Sequence, residues 1–157
     1  MGDVFECEIQ ARLRDVNLGG HVDNVEAIRV VDEARLLFFR FARLPGDDAS
    51  TGLLREVPSG VVELVGSQRV DYRAEMRFVA YQPFLVRTWV SHLGRSSFST
   101  SHELRVAPDH EPALLAETSL VLWDSRTQSA WPIDDRVRRT LASYAGEPVP
   151  LRPRPGA

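Results

Sequence analysis

The sequence has little of what would announce a secreted, metal-binding or membrane protein. Cys7 is its one cysteine, so no disulfide framework and no cysteine-based metal cluster can form within a chain. The four histidines, His21, His92, His102 and His110, have no ligand spacing, and we expect neither a metal nor any other cofactor. No apolar run approaches the roughly 18 residues of a membrane span. The start "MGDVFECEIQ" has no basic segment leading into an apolar one, and Glu6 stands where a myristoylation signal carries Ser or Thr. Charge of one sign is lacking too: the net charge is −3, which gives no reason to expect nucleic acid. Lysine is absent, all nineteen basic residues being arginine. Neither GxGxxG nor a GK[ST] ending occurs, so the Gly19-Gly20 pair is no phosphate loop. No internal repeat is visible. These absences lead us to expect a cytoplasmic chain with no membrane and no nucleic-acid partner.

What is present is a globular composition. The chain has 157 residues, 43% hydrophobic and 26% charged, enough for one domain that buries roughly 70% of its unfolded surface without staples. We expect that domain over residues 1–145, followed by a proline-rich, disordered tail at 146–157, "EPVPLRPRPGA" being its main part.

Phe5, Cys7, Ile9, Ala11 and Leu13 alternate with Glu6, Glu8, Gln10, Arg12 and Arg14, the pattern of a half-buried strand. From Asn24 the period changes. Asn24, Ala27, Val31, Ala34, Phe38, Phe41 and Ala42 form one stripe of a helix of about five turns, stopped by Pro45-Gly46. Glu26, Arg29, Glu33 and Arg40 make its polar face, whereas Arg35 projects at the edge of the apolar stripe. After a loop at 45–59, alternation over 69–78 predicts a second strand, and further strands are expected near 84–92, 97–107 and 114–124. The short link "LGR" at 93–95 implies an antiparallel hairpin. A short helix is predicted over 134–144, with Asp near its start and Gly146 after its end. One long helix among five alternating strands makes the fold class α+β, with an antiparallel sheet that must cover the helix.

One stretch is unlike scaffold: "RDVNLGGHVDN", residues 14–24. Together with "VVDEARLLFF", "RVDYRAEMRF", "SHLGRSSFSTSHEL" and "LVLWDSRTQSAWPI", in that order, it resembles the hotdog-fold thioesterases. The sub-family it is most similar to contains the 4-hydroxybenzoyl-CoA thioesterases. The resemblance implies a sheet of about five strands wrapped round a central helix, and a homo-oligomer, dimer or tetramer. It also implies an acyl-CoA or acyl-carrier-protein thioester bound at the subunit interface. In that family the turn reads Asp-x-Asp before a Gly-His-Val-Asn-Asn type segment, the second Asp being general base or nucleophile. Aligned on Gly20-His21-Val22, this chain has Asp15 at the first position and Asn17 at the second, and Asp23 where Asn is common. A carboxamide has no useful proton affinity near pH 7.

Three readings of the turn remain open. In one, Asn17 works by hydrogen bonding together with Arg35, as the resemblance to the enediyne-polyketide thioesterases implies. In another, a neighbouring carboxylate, Asp15 or Asp23, takes over as base. In the third, Asn17 and Asp23 only cap and turn the chain, the glycines permit positive φ, and Arg35 pairs with Asp32. His21 is a further catalytic candidate, while His102, on the apolar face of its strand, reads as a satisfied core histidine. Backbone N–H groups of Gly20, His21, Val22, Asp23 and Asn24 at the helix N-terminus are the expected oxyanion donors. The resemblance implies that Arg95, Ser96 and Ser97 lie near the pantetheine, and Arg73, Arg77 and Arg95 are expected near the CoA phosphates. The expected function is hydrolysis of a thioester to a free acid and a thiol. The alternative is a catalytically weak or inactive acyl-CoA or acyl-carrier binding protein of the same fold.

Overall fold

The computed structural model describes residues 1–156. Its elements are β1 (Phe5–Ile9), α1 (Asn24–Arg40), β2 (Val61–Tyr72), β3 (Phe84–Leu93), β4 (Ser97–Arg105), β5 (Leu114–Asp124), β6 (Ser129–Ala130) and α2 (Asp135–Ser143). The strands pair antiparallel in the order β1-β3-β4-β5-β2, with β6 added to the end of β5. The α+β expectation holds, and β3 and β4 form the hairpin that the "LGR" link implies.

α1 forms because Ala27, Val30, Val31, Ala34, Phe38 and Phe39 recur at helical spacing and are buried against the sheet. Asp23 caps its start by accepting the N–H of Val25 at 2.9 Å. Two expected stripe members lie outside the core: Asn24 is exposed in the first turn, and Phe41, 64% exposed, follows the last helical residue. The core under α1 divides in two. Phe38, Phe39, Val90, Phe98, Leu120 and Leu122 belong to one apolar cluster. Val30, Val31, Val86, Leu104, Leu114 and Ala116 belong to the other.

Two expectations are corrected. The second strand runs over Val61–Tyr72 rather than 69–78. Its ladder with β5 ends at Tyr72↔Leu114, where β5 begins, so residues beyond Tyr72 have no strand to pair with despite their alternation. The tail also departs from expectation. Trp89 Nε1 donates to Glu147 O at 2.7 Å, Val149 N–H to Ser101 Oγ at 3.1 Å, and Arg152 N–H to Asp71 Oδ2 at 2.7 Å. Val149 is buried with Trp89 and Leu115, and Val4 and Leu151 pack on that cluster. The segment whose prolines suggested disorder instead runs as an extended strap held to the sheet by Glu147, Val149, Leu151 and Arg152.

β2 is an edge of the sheet, and its 12 residues carry Val62, Leu64 and Val65 exposed. A long apolar edge of this kind is a template for pairing with another chain.

Candidate active site

The stretch from Arg14 to Asn24 folds into a tight turn held by its own polar groups. Asn17 Oδ1 accepts the N–H groups of Gly19 at 2.9 Å and His21 at 3.3 Å, and Asn17 N–H donates to His21 O at 2.8 Å. Gly20 N–H closes the turn on Asn17 O, with φ +80 at Gly20, a conformation glycine adopts without strain. The Val16↔Val22 bridge closes the turn on itself, and Val22 N–H to Met76 O with the His21↔Arg77 bridge ties it to the segment after β2. Because Oδ1 is committed to two N–H groups, the amide orientation of Asn17 is set and its Nδ2 is presented at the exposed side of the turn.

Asp15 is placed differently from the base it was a candidate to be. It is 1% exposed, and its carboxylate accepts Arg12 N–H at 2.8 Å, Arg12 Nη2 at 3.1 Å and Arg29 Nη2 at 3.2 Å. Burial works to raise its pKa, but the Arg12 backbone N–H and the Arg12 and Arg29 guanidinium groups outweigh it, and the pKa lies below the ordinary 3.8. A carboxylate so held is a poor proton acceptor. It locks the turn to α1, and its backbone carbonyl also takes the N–H of Asp23 at 2.8 Å. Since the folded-state pKa is depressed, this stabilisation is fully present above the ordinary value and fades as pH falls through the depressed one. Asp15→Asn is therefore expected to lower stability by about 2 kcal/mol at pH 7. The gap to the native protein should close as pH drops below 3.8, as read by thermal melts over a pH series.

Asp23 is occupied as the α1 cap. The N–H groups of Gly20, His21, Val22 and Asp23, expected as oxyanion donors, all have acceptors within the turn or on Met76 and Asp15. That part of the expectation is corrected: among the described residues the N–H of Asn24 is the one of that set left free at the helix N-terminus. His21 is partly exposed and lies over Gly19, with Nδ1 3.9 Å from Glu75 Oε2. Glu75 had drawn no attention in the sequence, because alternation put it on a strand face.

The remaining candidates are elsewhere. Arg35 is 6% exposed and pairs with Asp32 at 3.3 Å, as one reading of the sequence required. From Asn24 to Arg35 the helix rises about 16 Å, so within one chain Arg35 does not meet the turn. The hairpin residues Arg95, Ser96 and Ser97 lie at the far end of the sheet, where Arg95 O accepts Ile133 N–H and Ser96 O accepts Leu122 N–H. Arg73 pairs with Asp71, Arg77 pairs with Glu75, and Arg95 is exposed at the hairpin, so no common phosphate site gathers them in one chain.

His102 is the satisfied core histidine expected. Fully buried, it has Nδ1 3.0 Å from Thr88 Oγ1 and Nε2 2.9 Å from Thr100 Oγ1. Burial first, and then the nearby charge of Arg35, pushes its pKa down to about 3, so the ring is neutral. Cys7 is pushed up to about 11 by burial and by Glu33, which leaves it a poor nucleophile. No group of three or more His, Cys, Asp or Glu among the described residues could hold a metal ion.

A six-stranded antiparallel sheet packed on one long helix, with an Asp/Asn/Gly/His turn at the helix start, defines the class of hotdog thioesterase-like proteins. The sequence pattern of the Thioesterase-like superfamily matches residues 11–141, and the chain belongs to that superfamily. Solved structures agree on the fold. A predicted thioesterase from Bacillus stearothermophilus is 18% identical, with 93% of this chain and 99% of that one covered at a TM-score of 0.73. A thioesterase complexed with coenzyme A and Zn from Thermus thermophilus is 22% identical, covering 92% and 96%, at 0.68. Slr0204, a 1,4-dihydroxy-2-naphthoyl-CoA thioesterase from Synechocystis, is 17% identical, covering 89% and 96%, at 0.69. No curated protein matches the chain.

Proposed function

We propose that the protein hydrolyses an acyl thioester of coenzyme A or of an acyl-carrier protein, water adding to the carbonyl and the thiol leaving. The observation that carries this reading is the anchored carboxamide of Asn17. With Oδ1 held by Gly19 and His21 N–H, Nδ2 is a fixed donor on the turn that leads into α1, whose first residue, Asn24, has a free N–H at the helix's positive end. Two such donors suit the oxygen that gains charge as water attacks. Asn17 in this scheme polarises the carbonyl, and His21, beside it, is the group that takes the proton from water. The superfamily and the coenzyme A in a structural relative support the substrate class.

The working unit we propose is a homodimer joined through β2. In one chain the turn and the Arg95-Ser96-Ser97 hairpin are separated by the length of α1, about 25 Å for its 17 residues. A two-fold axis at the middle of β2 reverses one chain against the other and brings the turn of one protomer toward the hairpin of its partner. A tetramer built from two such dimers is compatible with the same unit. No helix is long and apolar enough to cross a membrane, and we place the protein in the cytoplasm, where its single thiol stays reduced.

The state of the carboxylates favours one competing reading. Asp15 is tied up by two arginines and Asp23 by the helix cap, so the chain fits equally the acyl-CoA or acyl-carrier binding protein that has lost its base. Thiol release across a panel of acyl-CoAs separates the two. Turnover above the spontaneous rate supports hydrolysis, whereas tight calorimetric binding with no turnover at any chain length supports the binding protein.

A further inference from the structure

The core beneath α1 is crossed by a belt of polar side chains that separates its two apolar halves. On β3, Thr88 stands between Val86 and Val90; on β4, Thr100 and His102 stand between Phe98 and Leu104; on β5, Thr118 stands between Ala116 and Leu120. All four polar residues are 0% exposed. The register makes the belt continuous: Thr88 is opposite His102, Thr100 opposite Thr118, and Thr118 opposite Gln68 on β2. Gln68 Nε2 donates to Thr118 Oγ1 at 3.1 Å and to Asp32 Oδ1 at 3.3 Å, which joins the belt to α1.

Over this belt lies Arg35. Its Nη2 is 3.3 Å from Asp32, while Nε and Nη1 are buried with no hydrogen-bond partner. The ring of His102, neutral and bonded on both nitrogens to threonine hydroxyls, provides neither an opposing charge nor a free acceptor. Unmatched donors on a buried cation are costly, and well-packed apolar residues at these positions would serve stability as well or better. The belt reaches the α1–β2 edge, where the side chain of Asp32 is 41% exposed and Gln68 is half-buried on the strand proposed to join the two protomers. Arg35 lies about 16 Å along α1 from the turn in its own chain, so its free donors do not serve the thioester carbonyl proposed there.

We propose that Arg35 and this belt read an oxygen substituent, hydroxyl, oxo or carboxylate, on the acyl group, making the protein selective for oxygenated acyl thioesters over plain alkyl ones. The reading rests on the thioesterase assignment only for its kinetic arm. A buried site built to hydrogen-bond an oxygen rejects the analogue that lacks it, because its own donors are then left unmatched.

The experiment uses acyl-CoAs of equal length, unsubstituted or bearing a hydroxyl or oxo group at successive positions, or a terminal carboxylate. Thiol release gives kcat/KM. Calorimetry on the matching non-hydrolysable thioethers gives Kd without turnover. At least one oxygenated position is expected to exceed the unsubstituted chain by about 100-fold. In Arg35→Met that ratio should fall to within about threefold, and Thr118→Val, an isosteric change that tests the belt separately, should lower it by about tenfold. A general loss of structure or of rate would not shift the ratio between substrates. Equal kcat/KM and equal Kd across the series overturn the proposal and leave hydrolysis standing, as does a preference that survives in both variants. Preferential thioether binding with no thiol release from any compound supports the proposal and overturns the hydrolytic reading alone.

Discussion

Asn17→Ala is expected to lower thiol release from an acyl-CoA by about 10²–10³-fold, the usual cost of removing one oxyanion donor. The side chain does two things, and the variants separate them. Its Oδ1 holds the turn through Gly19 and His21 N–H, so the alanine variant should also lose about 1 kcal/mol of stability, far too little to account for the rate. Asn17→Asp keeps both turn bonds, since a carboxylate oxygen accepts them as well. It exchanges the Nδ2 donor for a base, and its rate profile should acquire a further limb as the new carboxylate ionises. Asp15→Asn should change melting far more than turnover, because Asp15 acts through Arg12 and Arg29 on the shape of the turn. Full activity in Asn17→Ala together with loss of activity in a folded Asp15→Asn would transfer the chemistry to Asp15.

Leu64→Lys combined with Val65→Lys is expected to give a folded monomer with thiol release below about 1% of the native level. Both residues lie on the exposed edge strand, Leu64 paired with Val121 and Val65 with Leu120 on the inner side of β2. A two-fold axis between Gly66 and Ser67, at the centre of β2, sets position 64 opposite Arg69 of the partner subunit, where a lysine meets a like charge, and the lysine at position 65 adds a second charge to the same seam. The turn and the hairpin of one chain stand at opposite ends of the sheet, so in the proposed dimer losing the partner would remove half of the proposed substrate contacts at once. Sedimentation should show the change of mass and far-UV circular dichroism an unchanged fold. A native chain that is monomeric and active would refute the β2 dimer, and so would a double variant that stays dimeric.

Much of the geometry of the candidate site was legible in the sequence because it is local. The turn takes its shape from Asn17, Gly20 and Asp23, residues within a few positions of the groups they bond. Arg35 could be placed by helical period alone, and its burial follows from the stripe it borders. His102 likewise followed from the alternation of Phe98, Thr100, His102 and Leu104. The roles of Asp15 and of the N–H groups at 20–23 could not be read that way. Asp15 is neutralised by Arg29, fourteen positions on, and Val22 N–H is taken by Met76. Neither partner is implied by spacing.

By itself the sequence determined the α+β class, the long helix, the β3–β4 hairpin, the turn and the burial of Arg35, since these depend on side-chain period and on bonds between near neighbours. Tertiary structure alone decided the extent of β2, which ends where β5 offers no further partner. It also decided the docking of the 146–156 strap on Trp89 and Leu115, and the alignment of Thr88, Thr100, His102, Thr118 and Gln68 into one belt. The physical reason is common to all three: strand register and desolvation are set by segments distant in the chain, and no local pattern carries that information.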